Sequence, residues 1–312
     1  MDIKAYFKHA VHEQGGYKVL HAHFDKSNLV TPDILMQAQK ESMQDKWHTY
    51  NKLKANYTFD DIYQRSEKSL HSLIKQNVSL VRTFADADMY IGQMCIDALL
   101  KLKEDYSDVI NIEIATQPIE GVLKKDNYQA FLSASSKADL IGGLPSRDPS
   151  PQEHLHCLID IAEKFDLPLD VHCDQLNSPQ ERETELLLNI KRKRKFKNKT
   201  NAIHSISLSA HPEHYQKLIA KRLASEDVGV IICPSAALSM KPLHYLAPIH
   251  NSIAPLKLLL DAGVNVGLGI DNIADLYMPL VDGDMWFECR LLMEATRYYN
   301  IQQVANIATT YL

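Results

Sequence analysis

The sequence predicts an α/β fold: a (β/α)8 barrel built as a single domain from residues 1–312, with a helical insertion after its first strand. Three observations predict it. Short apolar, β-rich runs alternate with longer helical patterns, and the alternation repeats eight times. The runs are apolar almost throughout, which is how parallel strands covered on both faces read. Histidine and aspartate recur at the ends of these runs, where a barrel of this kind gathers its reactive groups.

The candidate strands are Tyr17–His23, Val78–Phe84, Val109–Thr116, Ala138–Leu144, Leu167–His172, Asn201–His204, Gly229–Cys233 and Val264–Ile270. Helical stretches separate them at Gln93–Tyr106, Gln152–Phe165, Gln180–Lys195, Pro212–Ser225 and Ile253–Ala262, with further helix over Met285–Tyr299. Around the first of these, Ile91, Met94, Ile96, Leu99, Leu100 and Leu102 recur at helical spacing, the mark of an outer helix packing on a sheet. The longest interval between strands is 28–77, and it holds two helical patterns, Pro32–Lys54 and Phe59–Gln76. An excursion at the C-terminal end of a strand sits over the barrel mouth, so 28–77 is expected to be a lid.

Composition narrows the function classes. The chain is 45% hydrophobic with a net charge of −5 and well-mixed signs, so its overall balance calls for neither nucleic acid nor a membrane surface. The N-terminal stretch Met1–Tyr6 has no apolar signal core, and no run reaches the ~18 apolar residues of a spanning helix. Five cysteines, odd in number and without a C-x-x-C pair, read as free thiols in a reducing, cytoplasmic setting. The basic run Lys191–Lys195 with Lys197 and Lys199 follows a helix C-terminus, where cations favour the dipole, and reads as a solvated helix end. A homo-oligomer is compatible with all of this.

The strand ends supply His21 and His23, Asp86 and Asp88, Arg147 and Asp148, His172 and Asp174, His204, and Asp271. In an extended strand His21 and His23 share one side, with Leu20 and Ala22 on the other, so the two imidazoles can grip one cation. Four histidines and an aspartate at one mouth would give a water-activating divalent ion three or four ligands with a position left open. Cys173 lies on the strand face opposite His172 and is expected to pack rather than bind.

The segments His21–Lys26 (HAHFDK), Val81–Asp88 (VRTFADAD), Pro118–Val122 (PIEGV), Asp170–Gln175 (DVHCDQ), His204–Ser207 (HSIS) and Gly269–Asn272 (GIDN) resemble, in order, the amidohydrolase superfamily, in its branch around bacterial cytosine deaminase. The resemblance implies that His21, His23, His172 and Asp271 bind one divalent metal ion, zinc or iron. It implies that His204 acts as an electrophile toward the substrate and that Asp271 takes the proton of the attacking water. Strand 4 lacks a lysine that could be carboxylated to bridge two metals, which argues for one ion. The activity implied is hydrolysis of a C–N bond in a small nitrogen heterocycle, cyclic amidine or amide.

Three departures point away from cytosine itself. Gln175 stands where that family places a proton-shuttling glutamate, and an amide exchanges no proton at ordinary pH. Ile119 replaces a substrate-binding glutamine, and Asn272 replaces a second aspartate. Proton transfer then falls to Asp174, Asp86, Lys26 or Asp271. Arg147, Lys26, Asp174, Asn272 and Trp286 are the candidate substrate contacts: Arg147 to fork onto a carboxylate or carbonyl, Trp286 to stack on a planar ring. The alternatives are a metal-binding barrel that has lost catalysis and a hydrolase of esters or lactams. The resemblance also implies a small β-sandwich from flanking sequence. Only 16 residues precede strand 1, so the sandwich is expected to be largely absent or its C-terminal part to lie beyond Leu312.

Overall fold

A computed structural model describes residues 2–38, 43–239 and 253–312. Eight strands alternate with helices: β1 (Tyr17–Ala22), β2 (Val78–Asp86), β3 (Asn111–Gln117), β4 (Ile141–Gly143), β5 (Leu169–Cys173), β6 (Thr200–His204), β7 (Val228–Ile232) and β8 (Val266–Leu268). Every pairing is parallel, in the orders β1-β2-β3 and β4-β5-β6-β7-β8. Backbone hydrogen bonds join these two groups at both seams. Asp139 N donates to Ile114 O (2.8 Å) and Thr116 N to Leu140 O (3.2 Å), linking β3 to β4. Ile270 N donates to His21 O (3.0 Å) and His23 N to Asp271 O (3.1 Å), linking the end of β8 to β1. The ring of the predicted barrel is thereby completed.

Each seam depends on a glycine. A Cβ on Gly142 would stand 1.8 Å from the carbonyl oxygen of Thr116, and one on Gly269 would stand 2.7 Å from His21 Cβ. Only a residue without a side chain lets the two backbones come this close.

The apolar residues divide as a barrel requires. Leu20, Leu80, Phe84, Ala115, Ile203 and Ile231, from five strands, form one buried cluster with Leu140, the residue before β4, and this fills the interior. A larger cluster, including Val81, Ile114, Leu99, Leu158, Leu188 and Ile219, lies between the strands and the outer helices. Each such side chain contributes about 1.5–3 kcal/mol on burial. Leu20 faces the interior, not the outside as strict alternation expects, because the β1–β2 register shifts between Val19 and Ala22. The interior also holds Arg82, whose guanidinium meets Asp170 (2.7 Å) and Glu113 (2.8 Å).

Strands β2 and β3 run past their expected ends because pairing continues through Ala85–Thr116 and Asp86–Gln117. Four helices escaped the sequence reading: Ile3–Glu13, Lys125–Ser135, Pro234–Ser239 and Ile301–Thr309. The third is six residues long and the fourth nine, too short for a helical period to stand out. In the insertion the helices are Pro32–Ala38, Met43–Lys54 and Phe59–Ile74. Residues 39–42 of the expected Pro32–Lys54 helix lie outside the described residues. No described helix is long and apolar enough to cross a membrane.

Candidate metal centre at the barrel mouth

β1 delivers His21 and the residue just past its end His23, β5 delivers His172, β6 His204, and the turn after β8 Asp271. The His21 ring lies 4.8 Å from that of His23, 4.7 Å from His172 and 5.6 Å from His204, centroid to centroid. Asp271 Oδ1 is 3.1 Å from His23 Nε2 and 3.4 Å from His21 Nε2, and its Oδ2 is 3.8 Å from His204 Nε2. The five residues the sequence singled out therefore meet in one place. Phe84 closes it from below, its ring 4.5 Å from His21 and 5.3 Å from His172.

Backbone strain accompanies the convergence. Asp174, His204 and Asp271 all have positive φ (54°, 73° and 62°). Residues with a side chain adopt this region at a cost of order 1 kcal/mol, and such cases cluster at functional sites.

The donor set fits a metal ion. Ligand atoms from His21, His172 and His204, and from His21, His23 and Asp271, lie within 4.8 Å of one another in each trio. Two ligands of one tetrahedral ion at about 2.1 Å stand about 3.4 Å apart, close to the Asp271–histidine spacings. Both nitrogens of His21 and the Nδ1 atoms of His23 and His204 are buried without a hydrogen-bond partner among the described residues, which a buried polar atom tolerates poorly. His172 hydrogen-bonds through Nδ1 to Gly143 O (2.8 Å); this fixes its tautomer and leaves the Nε2 lone pair for a ligand. Burial pushes the His21 imidazole down to about 3 and also lowers His172 and His204, so they stay neutral and able to ligate. For Asp271 burial works upward, but the contacts with His21 and His23 outweigh it and hold the carboxyl well below its usual range.

The other predicted residues go elsewhere. Asp174 accepts hydrogen bonds from Glu183 N (2.6 Å) and Thr184 N (3.2 Å), which ties it to the start of the helix Glu183–Arg194. Lys26 Nζ is held between Asp25 (3.1 Å) and Asp86 (2.9 Å), buried with both. Asn272 donates to Asp275, and Gln175 lies half-buried at the end of β5. Asp148 binds His154 Nδ1 (2.6 Å). Trp286, expected to stack on a ring, packs on Phe7 (5.4 Å) in the outer helical layer, because its helix turns that face toward Ile3–Glu13. Cys173 is buried in the outer apolar cluster, as its strand face required. In the basic run, Lys191 binds the carbonyls of Phe196 and Asn198, and Arg194 bridges Asp160 and Glu163.

Arg147 neither binds Asp148 nor Asp174. Its guanidinium lies 3.7 Å from the centroid of Trp47, donates to Ile119 O and pairs with Glu120 (3.2 Å). Trp47 belongs to a group the sequence reading missed, the stripe Trp47, Tyr50, Asn51 and Lys54 on the helix Met43–Lys54. Tyr50 Oη accepts from Leu276 N (3.1 Å) and its ring stacks on Tyr277 (4.7 Å); Asn51 donates to Glu120 (3.0 Å). Lys54 reaches Asp86 (2.9 Å) and Asp88 (2.6 Å). The helix thus touches the loops after β2, β3, β4 and β8. The spacing i, i+3, i+4, i+7 was the available signal.

A model of the amidohydrolase family matches residues 20–311. An uncharacterized protein of Haemophilus influenzae is 29% identical, the match covering 81% of this chain and 93% of that one. N-isopropylammelide isopropyl amidohydrolase of Pseudomonas sp. (strain ADP) is 22% identical over 86% of this chain, which spans 65% of that enzyme's length. Among solved structures, 5-methylcytosine deaminase from Klebsiella pneumoniae liganded with 5-fluorocytosine superposes with a TM-score of 0.84 at 22% identity, covering 94% of this chain and 72% of that one. That likeness establishes the shared fold.

Proposed function

The chain belongs to the amidohydrolase family, and from that premise we propose that it is a mononuclear metal-dependent hydrolase that cleaves a C–N bond of a small nitrogen heterocycle, cyclic amide or amidine. The observation that carries the reading is the convergence of His21, His23, His172, His204 and Asp271. His21, His23, His172 and Asp271 would hold the ion, zinc or iron. When bound, such an ion supplies Lewis-acid activation of water near neutral pH.

The chain's own groups supply the rest. Asp271 is kept ionised beside the histidines, so its carboxylate is the group placed to accept the proton of the attacking water. His204 faces the same carboxylate across 3.8 Å and would hydrogen-bond the substrate atom that gains charge. Asp86 and Lys26, locked against each other, and Asp174, committed to a helix start, are poor proton carriers by comparison. Gln175, Ile119 and Asn272 favour a ring other than cytosine. The insertion 28–77 would act as a lid over the site.

The deciding experiment pairs metal analysis with an assay for released ammonia or amine over pyrimidines, triazines and pterins. One equivalent of metal and release from at least one ring class is the expected result. Protein purified without chelator that holds less than about half an equivalent defeats the reading.

A further inference from the structure

Beyond the five converging residues, the mouth contains a side-chain amide whose oxygen has no partner among the described residues. Gln117 is the last residue of β3, 3% exposed, and its Oε1 is buried without a hydrogen-bond partner. A buried amide oxygen left in this state carries an uncompensated desolvation cost, which a ligand's hydrogen bond can recover.

The direction of the side chain follows from strand alternation. Ala115 belongs to the interior cluster, and Glu113 meets the interior Arg82, so the inward set on β3 is 113, 115, 117. Gln117 is therefore the topmost inward residue of its strand. Its register partner on β2 is Asp86, two residues above Phe84, whose ring touches His21 and His172. The amide is thus directed toward the histidine end of the barrel. Tyr277 Oη, from the loop after β8, is a second buried oxygen without a partner among the described residues, with Lys26 and Asp86 close enough to act on it. Lys26, Lys54 and Asp88, by contrast, already satisfy one another or Asp86 around this rim.

We propose that Gln117 is the specificity-determining residue of the site and that its amide pairs with a ring edge presenting adjacent N–H and C=O groups, the edge of a cyclic amide. The proposal rests on the reading that substrate reacts at the centre formed by His21, His23, His172 and Asp271. An oxygen acceptor and an NH2 donor on one planar group match such an edge with two parallel hydrogen bonds, and an edge lacking the N–H leaves Oε1 unsatisfied. Either orientation of the amide serves, since the ring edge offers both a donor and an acceptor.

Thermal shift and calorimetric binding test this on the purified protein, with uracil, cyanuric acid and hypoxanthine as probes and their N-methylated counterparts as controls. At least one ring amide should bind the wild type more tightly than its N-methylated form. Gln117→Leu, close in volume, should weaken that ring about tenfold or more and erase its advantage over the methylated control. Gln117→Glu, which keeps an oxygen acceptor, should retain part of the preference and serves if the leucine variant does not fold. Wild type that binds no ring amide better than its methylated form, or a folded Gln117→Leu protein that binds it with unchanged affinity, overturns the proposal. Binding is read with and without metal, so recognition of these ring amides, which carry no exocyclic amine to lose, together with no ammonia or amine released from amino-substituted rings of the same classes, would refute the catalytic reading and leave the role of Gln117 standing.

Discussion

Lys54 Nζ lies 2.6 Å from Asp88 Oδ2, a contact between the insertion and the end of β2 that is buried on both sides. Its second partner, Asp86, is shared with Lys26. If Lys54 withdrew, Asp86 would keep Lys26, and Asp88 would keep its hydrogen bonds from Tyr90 N and Ile91 N. The apolar contacts of this helix form a small cluster of Tyr50 and Leu276 with Leu29, Ile34, Leu53 and Tyr277, separate from the main core. The five residues that converge at the mouth are each at most 8% exposed, so a ring reaches them only after something moves.

Replacing Lys54 by Met is therefore expected to loosen the helix Met43–Lys54 by about 1–3 kcal/mol while the barrel stays folded. The chain has two tryptophans, so a Trp286→Phe background leaves Trp47 as the only tryptophan, read by selective excitation. Acrylamide quenching of Trp47 should rise in the Lys54→Met protein and return toward wild type in Lys54→Arg. Unchanged quenching would show that Lys54 does not secure the helix.

Metal analysis should separate the ligands from the electrophile. His23→Asn and His172→Asn are expected to bind less than about 0.2 equivalents of metal. His204→Asn, whose new side chain tolerates the positive φ at this position, should keep its ion and lose about 100-fold or more in turnover. Loss of the ion in His204→Asn would make His204 a ligand.

Acid should weaken the metal-free protein. The unfolded chain protonates its histidines near the ordinary value of about 6.5, whereas burial holds His21 near 3 and lowers His172 and His204. Below about pH 6.5 the unfolded state therefore binds more protons, and stability falls as pH drops, by at most about 1.4 kcal/mol per unit for each histidine, down to about 3 in the case of His21. Melting temperatures between pH 7 and 5 should decline less steeply in His204→Asn than in wild type. Parallel curves would mean His204 does not contribute.

Gly142→Ala tests how the ring closes. The added methyl would meet the Thr116 carbonyl oxygen, part of the backbone and unable to rotate away, so a loss of about 3 kcal/mol or more is expected. A denaturant midpoint within experimental error of wild type would show that the β3–β4 seam yields without cost.

Eight strands, their order and the five residues that converge at the mouth were legible in the sequence because each rests on local pattern. A parallel strand covered on both sides must be apolar throughout, and the residue following it must be polar if it faces the mouth. His21, His23, His172, His204 and Asp271 all sit at such transitions. Trp286 and Trp47 mark the limit of that logic. Both are tryptophans in helical stretches, and only the packing of Ile3–Glu13 on one and of Met43–Lys54 across the mouth decides that Trp286 meets Phe7 while Trp47 meets Arg147. The fate of Lys26, Asp86 and Asp174 was equally beyond local reading, since which counter-charge or backbone amide a buried ion meets depends on elements up to 60 residues away. Sequence alone determined the barrel and its donor atoms, because periodicity and residue chemistry are properties of short segments. Tertiary structure alone decided which polar groups neutralise one another and which, like Gln117, remain open to a ligand, because satisfaction of a buried polar group is a property of whatever the fold places beside it.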